Sequence, residues 1–348
     1  MSVIKVDPQT DLLWRELTNS YKSDVFHSPE WIRALSKTYD LDIQALILCG
    51  DKGVPVAGLP YCTIDDAVAP RIISLPFSDF CDPLVKNLDE WSCLIDRLLF
   101  DQCQIKLRCV HNDVPLSDTR FSPFGRGKWH SIDLEQNLDT IWDNVHSSAK
   151  RAIRKAQQSG ITVRIAENKN ELRSFFELHL GIRKYKYRLL AQPYCFFENL
   201  WDNFIEHQNG ALTLATLEDR IISGVFFLEW KDGLYYKINA SDPAYVSNRP
   251  NDLVIWEGIK YGKSKGLKFF DFGISDWEQE GLVRYKRKYA TKEKTISFLQ
   301  YKPPNWKGSY QEQPLRQQLP HLTDLFTNAS VPDNITERAG EILYRFFT

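Results

Sequence analysis

Residues 211–239 read ALTLATLEDRIISGVFFLEWKDGLYYKIN. Three apolar runs, Ala211 to Leu217, Ile221 to Trp230 and Leu234 to Asn239, are separated by the polar turns Glu218-Asp219 and Lys231-Asp232-Gly233. Short runs rich in β-branched and aromatic residues, divided by such turns, predict an antiparallel three-stranded meander. The pattern then changes. Asn251 to Lys265 has helical spacing and ends at Gly266, and Lys268 to Phe272 is a short continuous apolar run, the mark of a buried strand. A meander followed by a helix and a further strand is a segregated, mixed arrangement. It excludes the regular β-α-β-α order of a Rossmann sheet or a TIM barrel.

Outward from this block, Ile141 to Gln157 reads as one basic amphipathic helix with Ile141, Val145, Ala149, Ala152 and Ala156 on one side. Gly160 stops it, and Thr162 to Ala166 is a strand. Leu172, Phe175, Phe176, His179 and Ile182 line a helix face, and Phe197, Leu200, Trp201, Phe204 and Ile205 line another. Leu282 to Tyr289 is a short helix and Thr295 to Tyr301 a last strand. The first half repeats the plan. A helix capped by Ser28 with Pro29 at its first position runs to Tyr39. The strands Ile43 to Cys49 and Val54 to Tyr61 flank the hairpin turn Gly50-Asp51-Lys52-Gly53. Arg71 to Phe77 is a strand, Asp89 to Phe100 a helix, Gln104 to Val110 a strand, and Trp129 to Leu134 closes the unit. Lys302-Pro303-Pro304 breaks regular structure before two helical patterns near His321 to Thr327 and Thr336 to Phe347.

The expected fold is therefore α+β: two mixed, mostly antiparallel units flanked by helices, plus a helical tail. The domain boundaries are expected at 1–136, 137–302 and 303–348, the last a Pro-containing linker with C-terminal helices. At about 150 residues per domain, 348 residues suit two domains.

Charge divides the halves. Residues 1–146 carry 14 Lys+Arg and 22 Asp+Glu, while residues 147–348 carry 30 and 23. Ser147 to Arg188 holds eleven basic residues against three Glu. A basic second half points to an anionic ligand. The formal net charge of −1 argues against a general nucleic-acid binder, so DNA is excluded as a partner. Seven Cys without framework spacing indicate free thiols and a cytoplasmic protein. The seven His are isolated, and neither Cys-x2-Cys nor His-Glu-x-x-His occurs, so no metal site is expected. No apolar run reaches the roughly 18 residues of a membrane span.

Several stretches stand in a telling order: Trp142 with Lys150-Arg151-Ala152-Ile153-Arg154-Lys155-Ala156, Phe175-Phe176 through Arg183-Lys184-Tyr185, and Ala215 with Gly224-Val225-Phe226-Phe227. They continue with Tyr235 to Asp242, Arg249-Pro250-Asn251, Gly266 to Gly273, and Gly281-Leu282-Val283-Arg284-Tyr285-Lys286. Phe26 to Trp31 and Leu75 to Phe80 add an echo in the first half. Across residues 25 to 300 the chain resembles the FemAB-like, or BioF2-like, acyltransferases, which carry two Gcn5-related N-acyltransferase (GNAT) units in tandem. The resemblance implies a bacterial enzyme transferring an acyl or aminoacyl group from an activated thioester or ester to an amine. The acceptor implied is anionic, a cell-envelope or polysaccharide precursor. Two departures bear on the donor: the usual acetyl-CoA pyrophosphate signature is absent, and so is a long heptad arm for tRNA. Acyl-CoA is the favoured co-substrate, with no tightly bound cofactor; aminoacyl-tRNA is not favoured. The competing class is a catalytically inactive binding protein for a phosphorylated sugar or peptidoglycan precursor.

Specific residues carry these expectations. The resemblance puts donor phosphates at the helix start of Arg249 and Asn251, where backbone N–H groups face an anion. It also puts Lys286 near the acyl carbonyl, as an oxyanion stabiliser. Tyr285 or Tyr289 would protonate the leaving group. Asp271, a carboxylate inside Phe269-Phe270-Asp271-Phe272-Gly273, needs a partner: it either orients the amine, as a general base, or pairs with Lys286 or Arg284. Arg151 and Arg154, three apart on a basic helix, and Arg183 and Arg188, at a helix end, are the expected grip on an anionic acceptor.

Overall fold

The structure is a computed structural model that describes residues 2–66, 70–304 and 312–348. Two compact units emerge, one of Met1–Trp129, Lys294–Gln318 and Thr348, the other of His130–Glu293 and Leu319–Phe347. Residues 305–311 of the expected linker lie outside the described residues.

The first unit opens with two elements that the apolar pattern does not announce, β1 (Ser2–Val6) and α1 (Leu12–Ser20). Asp11 starts α1 by accepting the Leu13 N–H at 2.8 Å. Next, α2 (Pro29–Tyr39) is capped as expected, with Ser28 Oγ accepting the Trp31 N–H at 3.1 Å. The hairpin of β2 (Ile43–Cys49) and β3 (Pro55–Ile64) closes through Gly50 N–H to Val54 O at 2.9 Å. β4 is only Arg71–Ile73, shorter than the expected Arg71 to Phe77. Pro76 has no N–H to offer and Phe77 is left-handed (φ 57°), so the ladder cannot continue. The helix α3 (Leu88–Leu99), β5 (Gln104–Cys109) and β6 (Ser122–Asp133) follow.

In the second unit the expected helix of Ile141 to Gln157 is two helices, α4 (Leu138–Asn144) and α5 (Ser147–Gln158). His146 breaks it: its N–H bonds the Lys288 carbonyl at 2.8 Å, and its Nδ1 accepts the Ser148 N–H at 3.2 Å as a new cap. After β7 (Thr162–Ile165), α6 (Lys169–Gly181) runs into a π-helical turn at Ile182–Tyr187. Likewise α7 (Tyr194–Leu200) runs into another at Trp201–Ile205. The meander is β8 (Gly210–Leu217), β9 (Arg220–Trp230) and β10 (Gly233–Ser241). Then come α8 (Pro250–Ser264), β11 (Phe269–Asp276) and α9 (Glu280–Lys286). The strand order is β11-β10-β9-β8-β7. Helix α8 buries Val254, Ile255 and Ile259 against this sheet, so closely that a Cβ on Gly258 would stand 2.4 Å from Phe227 Cζ.

The last strand, β12 (Lys292–Tyr301), pairs antiparallel with β5 from Ser297↔Cys109 to Tyr301↔Ile105. The final strand of the second half's expected plan is thus spent in the first unit, whose order is β1-β2-β3-β4-β5-β12. The tail forms α10 (Glu312–Phe326) and α11 (Asp333–Leu343). The architecture is α+β, with mixed sheets flanked by helices and C-terminal helices present. Among the described residues no helix is long and apolar enough to cross a membrane.

Candidate functional site

The second unit's sheet opens at one place. β10 and β11 pair in parallel only from Gly233↔Phe269 to Tyr235↔Asp271. Beyond that point β10 stays with β9 as far as Ser241, with a bulge between Tyr236 and Ile238. β11 turns instead, because Gly273 adopts φ 64°, a conformation that costs glycine little. The turn has a local cause: the Asp271 carboxylate accepts the Gly273 N–H at 2.5 Å, a bond to the backbone two residues on.

Lys286, at the end of α9, binds the same glycine from its other side. Its Nζ donates to Gly273 O at 3.1 Å and to Ile274 O at 2.7 Å. Both side chains are buried, Asp271 at 1 % and Lys286 at 3 % exposure. An ammonium so enclosed needs acceptors, and two backbone carbonyls supply them. The structure therefore brings Asp271 and Lys286 together at the point where the strands part.

The two tyrosines of this segment differ. Tyr289 Oη donates to the buried Asp252 Oδ1 at 2.6 Å. Burial holds the Asp252 carboxyl above its usual range, opposed by the Tyr289 bond and by the charges of Lys288 and Arg249. Tyr285 packs edge-to-face on Tyr289 with centroids 5.9 Å apart. Its hydroxyl is buried and lacks a partner in hydrogen-bonding geometry among the described residues. Burial first, then Asp252 and Tyr236, pushes the Tyr285 phenol well above its ordinary pKa. It stays protonated.

At the start of α8, Arg249 is exposed and left-handed (φ 66°). Its charge reaches both Asp252 and Tyr285. The helix mouth itself is partly occupied. Pro250 has no N–H, and the Asp252 N–H bonds Arg249 O at 3.2 Å. The Asn251 amide is turned inward, accepting from Ser223 Oγ (2.6 Å) and Asn239 Nδ2 (3.2 Å) and donating to Ser241 Oγ (3.2 Å). It ties α8 to β9 and β10.

The four arginines expected to hold an acceptor separate into pairs. Arg151 and Arg154 are exposed on α5, the Arg154 guanidinium lying 5.7 Å from the centroid of the Trp142 ring. Arg183 and Arg188 are engaged with backbone, Arg183 Nε with Leu190 O at 2.9 Å and Arg188 Nη1 with Thr327 O at 2.7 Å. Between them Lys184 is buried, its Nζ donating to Val331 O at 2.5 Å and to Asp333 Oδ1 at 2.7 Å. This basic run fastens the C-terminal helices.

Reading by sequence missed His130 and Ser275. His130 is buried, with Nε2 at 3.0 Å from Glu293 Oε2, and Arg287 grips that carboxylate with Nε at 2.7 Å and Nη2 at 2.9 Å. Burial and then the Lys286 charge lower the imidazole's pKa. Its Nδ1 and the Ser275 hydroxyl are buried without partners among the described residues. No spacing signals either, since the partners of His130 come from distant segments. Among the described residues no group of three or more His, Cys, Asp or Glu could hold a metal ion.

The Acetyltransferase (GNAT) domain family matches residues 143–287, which contain the parting strands, α8 and α9. FemX is similar in structure, with a TM-score of 0.69 at 15% identity over 92% of this chain and 100% of FemX. L-PGS from Bacillus licheniformis follows with 0.54 at 14% identity, covering 92% and 97%. A tandem GNAT protein from the clavulanic acid biosynthesis pathway has 0.53 at 9% identity, covering 86% and 98%. No curated protein matches by sequence. Residues 143–287 thus match the Acetyltransferase (GNAT) domain family, and the chain has a fold like that of FemX and of a tandem GNAT protein.

Proposed function

We propose that the protein is an acyltransferase that moves an acyl or aminoacyl group from an activated thioester or ester to the amine of an anionic cell-envelope or polysaccharide precursor. The observation that carries this reading is the Tyr285 phenol, buried and protonated on the same helix as Lys286, beside Tyr289 but without a partner in hydrogen-bonding geometry among the described residues. An orphaned buried donor is costly unless a ligand completes it. In the reaction the acceptor amine attacks the acyl carbonyl, with Asp271 orienting the amine. Lys286 stabilises the oxyanion of the tetrahedral intermediate, already aimed by its two carbonyl bonds. As the C–S or C–O bond breaks, the Tyr285 hydroxyl protonates the departing thiolate or alkoxide, and the amine's proton returns to the phenolate. Acyl-CoA is the favoured donor, with Arg249 at its phosphates. Arg151 and Arg154 are the acceptor-facing cations not committed to the C-terminal helices.

The test is direct. The full chain is incubated with an acyl-CoA panel or with aminoacyl-tRNA, each with amine-bearing nucleotide-sugar and amino-sugar acceptors, and products are weighed by mass spectrometry. Transfer from one donor class, slowed about 10²-fold in Tyr285→Phe, supports the reading. Acceptor binding without transfer from either class would leave a binding protein.

A further inference from the structure

We propose that the second unit holds a binding site for a short-chain carboxylate between β7, β8 and the second half of α8. A cavity of about 310 Å³ opens there, with Val163, Arg164, Ile165, Thr213, Lys260 and Tyr261 in its lining. That volume is at the small end of the small-molecule range. The register explains the wall. Thr213 pairs with Ile165 across β7 and β8, so the two side chains emerge on the same face of the sheet, the face that α8 covers.

Two features point to a ligand and to its class. Thr213 is 4 % exposed, and its hydroxyl has no hydrogen-bond partner among the described residues. A buried hydroxyl beside an empty volume is incomplete as it stands. Among the described residues Lys260 is paired with Glu257, three residues earlier on the same helix at 2.5 Å, with both side chains partly exposed. Such pairs contribute little, so an incoming carboxylate can displace Glu257 from the ammonium. Arg164 alternates to the other face of β7, where it is bonded to Glu171, so Lys260 is the cation the ligand meets. The remaining walls are aliphatic, from Val163 and Ile165. A chain of a few carbons ending in a carboxylate satisfies all three: alkyl against the walls, one oxygen to Lys260, the other accepting from Thr213.

Other polar groups of the lining are already committed. Tyr261 Oη donates to Glu229 Oε1 at 2.5 Å, and Ser264 Oγ donates to Tyr261 O at 2.8 Å. They shape the cavity and do not select the ligand. None of these residues belongs to the parting of β10 and β11, so the site stands or falls apart from the proposed reaction.

The experiment is a ligand-observed NMR titration of the full chain with pentanoate, pentanamide and pentylamine. Pentanoate is expected to show saturation transfer and to bind about tenfold more tightly than the amide or the amine, as a charge-assisted bond implies. Lys260→Gln and Thr213→Val should each weaken pentanoate about fivefold or more. Thr213→Val should also leave the melting temperature unchanged or raised, because it removes an unpartnered buried hydroxyl. No transfer to pentanoate, equal binding of the amide, or unchanged affinity in Lys260→Gln would each overturn the proposal. A clear fall in melting temperature for Thr213→Val would show a fixed water in place of the ligand and would overturn it too.

Discussion

Tyr285 and Tyr289 stand one helical turn apart and have opposite chemistry. The hydroxyl of Tyr289 is spent on Asp252, whereas that of Tyr285 is buried beside Tyr289 without a partner in hydrogen-bonding geometry among the described residues. Their phenylalanine variants should separate them. Tyr289→Phe leaves a buried carboxyl without its donor and should cost about 1–3 kcal/mol of stability. Tyr285→Phe should leave stability unchanged or raised and lower turnover of the proposed transfer about 10²-fold. Thermal melts and initial rates on the two proteins check this; equal loss of stability in both would remove the distinction. Lys286→Met should reduce turnover on the order of 10²-fold. It should also lower stability by about 1–3 kcal/mol, because Gly273 O and Ile274 O lose the ammonium that binds them. His179 supplies a pH test. It is buried against Gln192, and burial first, then the Arg183 charge, depresses its pKa to about 3. The unfolded chain takes up this proton below about pH 6.5, so the folded state disfavours it. The stability concerned is fully present above about pH 6.5 and is lost as pH falls towards 3, at a slope approaching 1.4 kcal/mol per pH unit. His179→Gln should flatten that acid limb in a melting-temperature series.

At the scale of elements, the run from Arg183 to Arg188 decides how the tail is held. The π-helical turn Ile182–Tyr187 changes the angle at which successive side chains leave the helix. Lys184 can then reach Val331 and Asp333 while Arg188 reaches Thr327. Upstream, Arg173 grips Glu337 with two parallel bonds of 2.7 and 2.8 Å. Arg183 and Arg188 were the expected grip on an anionic acceptor; their donors instead meet carbonyls of the chain itself. Arg188→Ala should therefore speed amide exchange in residues 321–330, measured by hydrogen–deuterium exchange. Unchanged protection there would return Arg188 to the acceptor reading.

At the scale of the whole molecule, the chain leaves the first unit after Trp129 and returns to it at Lys294. The return strand β12 covers β5 from Ser297 to Tyr301. A fragment of residues 1–129 therefore lacks its own last strand and exposes the hydrogen-bonding edge of β5. Uncovered edges of that kind template association. Size-exclusion chromatography should show this fragment aggregated; a stable soluble monomer would contradict the pairing.

Much of this was legible in the sequence, because the signals are local. The meander of residues 211–239 follows from alternation and turn chemistry within a dozen residues at a time, and Ser28-Pro29 sets its helix without help. The parts that were not legible depend on partners far along the chain. His146 ends a helix because the Lys288 carbonyl takes its N–H, and the amphipathic spacing runs through that break unaltered. His130 looks isolated until Glu293 and Arg287 are folded against it. Sequence by itself determined the meander and most of the other strands and helices, and that Asp271 needed a partner. Tertiary structure alone decided that Asp271 and Lys286 meet at Gly273, that Tyr289 is committed and Tyr285 is not, and that Asn251 faces inward. The physical reason is that desolvation and hydrogen-bond satisfaction belong to a place in space, and residues distant in the chain build that place.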